Sequence, residues 1–242
     1  SWTTPITYSI IENDSTDSTP RLLQSWLSCR PGSWISERCG APSLRQGKAA
    51  ARTQALAAAR NLALERLLLH PVELILIVDG GLEIMAAQML RLIRQLADQP
   101  QAAMVAASAM QNVPDVLEGA PNSHYDSWAL QDLQGRCGIS FAEIPLIEPR
   151  ERERWRAGLP VVVGSAFGGM AVVRRDAIEA TQARWDGSAG CEHWVFCQAL
   201  RRSGLVLVDP LVRPLVQHAE PPRWSDSYAI RARQAVATAA LR

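Results

Sequence analysis

ELILIVDGG, residues 73–81, carries the reading of the fold. Leu74 to Val78 are an unbroken apolar run between Glu73 and Asp79. A short continuous run of aliphatic residues is the pattern of a strand buried on both faces, as in a parallel sheet covered by helices. The run stops at Asp79-Gly80-Gly81. In open α/β sheets ligands bind outside the carboxyl ends of the strands. An Asp followed by glycines at such an end lets a phosphate or a metal ion approach the backbone. The same residues also make an ordinary tight turn with a capping Asp, and both readings stand at this point.

Upstream, residues 48–69 are rich in Ala, Leu and Arg at helical spacing and end before Pro71. ITYSII (6–11) is a strand pattern that runs into the polar cluster ENDSTDST (12–19). Thr19 then suits an N-cap and Pro20 the first helical position, with Leu22, Leu23, Trp26 and Leu27 at helical spacing. Residues 28–46 read as an irregular connection with a short strand at 34–37. Downstream come a helix over 84–97 and a strand within 101–110. A long polar stretch, 111–160, holds Pro114, Pro121, Pro145, Pro149 and Pro160. VVVGSAFGGMAVVRR (161–175) reads as two short strands around a Gly-containing turn. Helices over 176–183 and 191–202, late strands in 205–218 and a C-terminal helix over 225–242 complete the pattern. Strands alternating with helices predict an α/β fold with a mixed, mostly parallel sheet flanked by helices.

Composition narrows the function classes. The 242 residues are 48% hydrophobic and 20% charged, enough for a real core in one large domain. A net charge of +1 argues against nucleic-acid binding through a broad basic field. Arg150 to Arg156 alternates in sign and reads as a solvated helix face or loop. The five cysteines (Cys29, Cys39, Cys137, Cys191, Cys197) form no C-x-x-C pair and are odd in number. That argues against a disulfide framework or structural zinc and predicts reduced, mostly buried thiols. No apolar run approaches the ~20 residues that span a bilayer. A cytoplasmic setting is the expectation. Membrane association through an acceptor or a missing segment stays open, because the chain starts at Ser1-Trp2.

Several polar residues stand where chemistry is expected. Glu12-Asn13-Asp14 follows the first strand and Asp79 the central one. Arg60-Asn61 interrupts an Ala/Leu helix, where a guanidinium can fork onto a pyrophosphate or simply lie on the surface. Tyr125 and Trp128 can stack on a base or sugar or anchor a loop. Glu192-His193 opens a helix, and adjacent side chains there diverge by about 100 degrees, so one of the two faces any given ligand. His218 ends a late strand and is either a metal ligand or structural.

In order and spacing these pieces resemble the capsule-associated α-1,3-mannosyltransferase family, best known from encapsulated fungi and with bacterial relatives. SIIENDSTDST (9–19) resembles its first strand and E-x-x-S-x-D-x-T turn, and ARNLAL (59–64) its R-N-x-A-L helix. ELILIVDGG sits where a GT-A enzyme carries a D-x-D-type strand end. HYDSWALQD (124–132) resembles Y-D-x-W-A-x-x-D, and VGSAFGGMAVVRRDAI (163–178) resembles a G-G-x-A-V/I-Y/R segment. CEHWVFC (191–197) resembles C-E-H-x-x-F, followed by VDPLV (208–212).

The resemblance implies one GT-A (Rossmann-like) domain over 1–242, with a nucleotide-binding half at about 1–110 and a donor-sugar and acceptor half at about 111–242. It implies a hexosyltransferase, retention favoured, moving a mannose-like hexose from a GDP- or UDP-sugar to a glycan or lipid-linked acceptor. It places Glu12, Asn13 and Asp14 near the nucleotide, and Arg60 and Asn61 on its base–ribose or diphosphate region. Asp79 and Gly80 would stand at the metal–diphosphate position, Tyr125 and Asp126 by the donor sugar, and Gly168-Gly169 along its pocket. Glu192 or His193 would face the reaction centre, and Asp79 and His218 would hold Mn or Mg. One departure stands out: a D-x-D motif needs an acid where this chain has Gly81. Diphosphate, water or Glu83 would have to complete the shell of a hard cation, or Arg residues replace it. A nucleotidyltransferase, a non-catalytic sugar- or nucleotide-binding domain and a partner-binding domain are the alternatives. The first is disfavoured because ENDSTDST is not a Gly-rich basic loop.

Overall fold

The structure, a computed structural model, describes residues 5–38, 50–111, 123–140 and 142–216. The N-terminal elements are β1 (Tyr8–Asn13), α1 (Thr19–Leu27), β2 (Gly32–Glu37) and α2 (Ala50–Leu68). Then come β3 (Leu74–Val78), β4 (Leu82–Glu83), α3 (Ala86–Ala97), β5 (Ala102–Ala106), β6 (Met110–Gln111) and β7 (Ser123–His124). The rest are α4 (Pro149–Arg156), β8 (Val161–Val163), β9 (Met170–Arg174), α5 (Arg175–Thr181), α6 (Glu192–Leu200), β10 (Leu205–Val208) and β11 (Leu215–Val216). Two compact units divide the chain: residues 1–73 with 184–195, and 74–183 with 196–242.

In the first unit, β1 and β2 pair in parallel, joined through α1, with α1 packed on β2 and α2 on β1. Gly32 permits that pairing, because a Cβ there would lie 2.2 Å from the Tyr8 carbonyl oxygen. Helix α1 begins at Thr19 with Ser18 as its cap residue, one position earlier than expected, and Asp17 Oδ1 accepts the Thr19 N–H at 2.9 Å. Pro20 sits in the first turn as its fixed φ favours.

In the second unit a five-stranded sheet runs β3-β9-β5-β10-β8. β9 is antiparallel to both β3 and β5, β10 is parallel to β5, and β8 is antiparallel to β10. So β3, β5 and β10 point one way and β9 and β8 the other. The sheet is mixed, with its three same-direction strands interrupted by β9. The two strands of VVVGSAFGGMAVVRR therefore do not pair with each other. ELILIV is a strand, but it pairs with β9 alone among the described residues, and within β3 only Ile75 is buried. Within the five-stranded sheet the strand buried along its whole length is the Ala-rich β5. An apolar run shows that a strand will be covered, not by what. A second sheet, β4-β11-β6-β7, stands beside this topology. The core packs Leu92 and Leu96 of α3 onto Val105, Met170, Val172 and Leu207.

The sign-alternating run 150–156 is helix α4, anchored by buried Trp155. Of the described cysteines, Cys191 and Cys197 are buried and Cys29 and Cys137 exposed, so burial holds for half of them. Among the described residues no helix is long and apolar enough to cross a membrane. The expected C-terminal helix lies outside the described residues.

Gly168 is the point where β9 is admitted to the sheet. Its φ is +58°, and a Cβ there would stand 2.1 Å from the Ala107 carbonyl oxygen. Gly168→Ala is expected to lower unfolding stability by about 2 kcal/mol, from left-handed strain with the backbone clash added. Urea denaturation against the wild type measures it.

Candidate functional site

The second unit gathers polar groups at one edge of its sheet, beyond the carboxyl ends of β3, β5 and β10. Asp79 follows β3, half-buried, and its N–H donates to the Gly169 carbonyl at 2.9 Å. On the other side of β9, the Ala107 N–H donates to the Met170 carbonyl at 2.8 Å. The Gly168 N–H reaches Asp126 Oδ2 at 3.3 Å, and the Ala129 N–H reaches Asp126 Oδ1 at the same distance. Tyr125 is tied to this edge through its N–H to the Ala109 carbonyl, 2.8 Å. Asp79, Asp126, Tyr125, Gly168 and Gly169 are thus brought together at one end of the sheet. The two glycines are buried, and packing explains both: Gly168 against Ala107, and Gly169, at φ +74°, against Leu82. Gly80 differs, since a Cβ there would meet nothing within 4 Å.

Three buried polar groups near this edge were not singled out from the sequence. His124 Nδ1 lies 3.1 Å from Ser108 Oγ, and its ring meets Trp155 edge-on at 5.8 Å. Burial pushes its pKa down to about 4, so it is neutral. Asp132, the last acid of the Y-D-x-W-A-x-x-D stretch, accepts the Gln134 and Arg136 N–H groups at 2.9 Å each and the Arg136 Nε–H at 2.6 Å. Asp209, fully buried, takes a forked pair of N–H groups from Arg91 at 2.8 and 3.3 Å. The last two are loop braces whose partners lie on the surface.

The first unit holds a different constellation. Arg60 and Asn61, neighbours on α2, both face residues 184–195. The Asn61 side chain donates through Nδ2 to the Trp185 carbonyl at 2.9 Å and accepts the Trp185 N–H at 3.0 Å. The Trp185 indole N–H donates to His193 Nδ1 at 3.2 Å. His193 Nε2 stands 3.5 Å from Glu192 Oε1, and Arg60 Nη1 lies 3.5 Å from the same oxygen. Trp185, Glu192 and His193 are each more than nine-tenths buried. Burial, with the Arg60 charge beside it, holds His193 well below the ordinary imidazole range, so the ring is neutral. The divergence expected of neighbouring side chains is overcome because these two sit at the very start of α6 and meet at one oxygen. Gly187 brings the loop onto α2: its carbonyl accepts the Thr53 hydroxyl at 3.0 Å, and a Cβ on it would lie 2.3 Å from the Thr53 carbonyl carbon. Trp185 offered no local signal in the sequence.

Glu12-Asn13-Asp14 makes the turn after β1. Glu12, buried, accepts the Ser15 N–H at 2.7 Å and the Ser36 hydroxyl at 2.5 Å. Asp14 takes a left-handed φ of +57°, and its N–H donates to the Glu37 carbonyl. Asn13 Nδ2 donates to Asp14 Oδ2 at 3.4 Å. The E-x-x-S-x-D-x-T spacing is therefore turn wiring: Glu12 to Ser15, and Asp17 to Thr19.

A metal site does not close here. Among the described residues no group of three His, Cys, Asp or Glu could hold an ion. Asp79 supplies one carboxylate, position 81 supplies none, and His218 lies outside the described residues. The described donors do not fit a divalent cation by themselves.

The fold is of the GT-A glycosyltransferase class. It is similar to the solved structure of GalNAc-T7 with UDP, GalNAc and Mn2+ (TM-score 0.51, 13% identity, 93% of this chain and 41% of that one). A mannosyltransferase, PcManGT from Pyrobaculum calidifontis in complex with GDP-Man and Mn2+, also matches (TM-score 0.48, 17% identity, 96% and 55%). The chain thus spans about half the length of these solved chains. The chain belongs to the family described as cryptococcal mannosyltransferase 1, whose model matches residues 3–200. No curated protein matches the chain.

Glu12 makes the stability of the turn after β1 depend on pH. Burial opposes its charge, but the Ser15 and Ser36 donors outweigh burial and hold its pKa below the ordinary value of 4.5. A lowered folded pKa means that its stabilisation is full above the unfolded pKa and is lost as pH falls through the folded one. Wild type is expected to melt above Glu12→Gln at pH 6, with the gap closing toward pH 3. Paired thermal melts across that range check it.

Proposed function

We propose that the chain is a hexosyltransferase that moves a mannose-like hexose from a nucleoside-diphosphate sugar to a hydroxyl of a glycan or lipid-linked acceptor, in polysaccharide or glycoconjugate assembly. The observation that carries the reading is the sheet edge of the second unit, in a chain of a mannosyltransferase family. There Asp79, Gly80 and Asp126 stand beyond the carboxyl ends of three same-direction strands, the position where α/β sheets bind ligands. The open space at Gly80 suits close approach of a diphosphate to the backbone.

In glycosyl transfer the anomeric carbon becomes oxocarbenium-like as the diphosphate leaves, so a fixed carboxylate stabilises the sugar charge. Asp126 fits this role, because two backbone N–H groups already hold it and no reorganisation is needed. Arg60 would serve the diphosphate side and Glu12, Asn13 and Asp14 the nucleotide, the last three through a turn whose shape Glu12 maintains. Glu192 is buried and ion-paired with Arg60, which suits charge stabilisation or positioning better than proton abstraction. That favours retention over inversion, and proton NMR of the newly formed product reads the anomer. The division into a nucleotide-binding half, about 1–110, and a donor-sugar and acceptor half, about 111–242, belongs to the same proposal. A role for Mn or Mg, held by Asp79 and His218, belongs to it too and is read by chelation.

A thermal-shift panel with GDP, UDP, CMP and their common sugar conjugates, each with Mn2+ and with chelator, tests the class. A ligand at ~100 times its dissociation constant adds ~2.7 kcal/mol to the folded state. One nucleotide is expected to raise the melting temperature, and a flat panel sinks the proposal. Glu192→Gln is expected to lose transfer while keeping the nucleotide-induced shift. Unchanged turnover removes Glu192 from the chemistry.

A further inference from the structure

The polar contacts of the first unit form a closed ring that begins and ends on two adjacent residues of α2. Asn61 clasps the Trp185 backbone, the Trp185 indole N–H reaches His193 Nδ1, His193 Nε2 faces Glu192 Oε1, and Arg60 faces that same oxygen. An indole nitrogen is a donor only. Its contact at 3.2 Å therefore requires a lone pair on His193 Nδ1, and a neutral imidazole must then carry its proton on Nε2. The Glu192 carboxylate stands 3.5 Å from that nitrogen. Arg60 Nη1 and His193 Nε2 thus each stand 3.5 Å from the same oxygen of the buried Glu192 carboxylate.

We propose that Trp185 is a positioning residue of the transferase: it fixes the tautomer of His193 so that His193 donates to Glu192 and holds that carboxylate in place. The assignment rests on the reading of Glu192 under the proposed function, and it deepens that reading by adding a residue that acts through His193. The indole is well placed for such a role because its own backbone is immobilised. Both polar atoms of Asn61 hold Trp185, and Gly187, two residues on, is seated on Thr53. With the opposite tautomer, two N–H groups would collide at Nδ1, and Nε2 would turn a lone pair toward a carboxylate.

Nitrogen-15 NMR of histidine-labelled protein at pH 7 tests the tautomer in the wild type without any catalysis. The His193 signals, assigned by their loss in His193→Gln, are expected at the shifts of an Nε2-protonated ring. Signals of an Nδ1-protonated ring overturn the proposal. Trp185→Phe retains an aromatic ring and removes the N–H. It is expected to shift the His193 nitrogen signals and to lower kcat for GDP-mannose, or for whichever nucleotide sugar the thermal panel selects. The drop is about tenfold, the kinetic equivalent of one neutral hydrogen bond, with KM for the donor held within about twofold. A variant that keeps both tautomer and kcat overturns the proposal, and so does one that shifts the tautomer at unchanged kcat. If Trp185→Phe fails to fold, the wild-type tautomer still decides. A wild type that turns over no nucleotide sugar sinks the proposed function, and the positioning role with it, while the NMR result shows separately whether the ring is wired as described.

Discussion

Backbone hydrogen bonding on both edges of β9 is the constraint on which the second unit depends. β9 enters antiparallel between β3 and β5, two strands that otherwise share a direction. Its entry requires the chain before it to turn tightly past Ala107 and Leu82, and only glycines fit at 168 and 169. That turn in turn delivers an N–H to Asp126 and a carbonyl to the Asp79 N–H. The sheet edge with its two carboxylates is thus a by-product of strand insertion: the same backbone that completes the sheet sets the acids in place.

The first unit solves a different problem, the burial of charge. A buried carboxylate is costly unless a counter-charge and hydrogen bonds attend it. Glu192 has Arg60 as its counter-charge and the neutral His193 ring 3.5 Å away. The cost of ordering these side chains is shared by contacts that also dock residues 184–195 onto α2, since Asn61 and Thr53 bind the backbone of that segment. Folding and site geometry are coupled here through one short stretch of helix. Glu12 follows the same logic on a smaller scale, with two donors offsetting its burial.

Several motif residues do different work from what their chemistry suggests at first reading. Glu12 and Asp17 hold a turn and a helix start, and Asn61 grips a backbone rather than presenting its amide outward. Asp132, the last acid of its motif, braces a loop with Arg136. For Glu12, Asp17 and Asp132 the spacing was legible because local hydrogen bonds of this kind span two to four residues. The long-range partners were not, because Asn61 meets Trp185 across 124 positions and nothing in the intervening chain encodes that meeting.

The order of the longer strands and helices, the polar strand end at Asp79 and the family motifs were set by the sequence alone, through hydrophobic period, turn chemistry and residue spacing. These are local signals, and they survive without a partner. The lodging of β9 beside β3, the edge position of ELILIV among the described strands and the convergence of Arg60, Trp185 and His193 around Glu192 were decided only by tertiary structure. Strand pairing and buried polar contacts join segments far apart in the chain. Many pairings satisfy an apolar run equally well, and the whole packed arrangement selects among them.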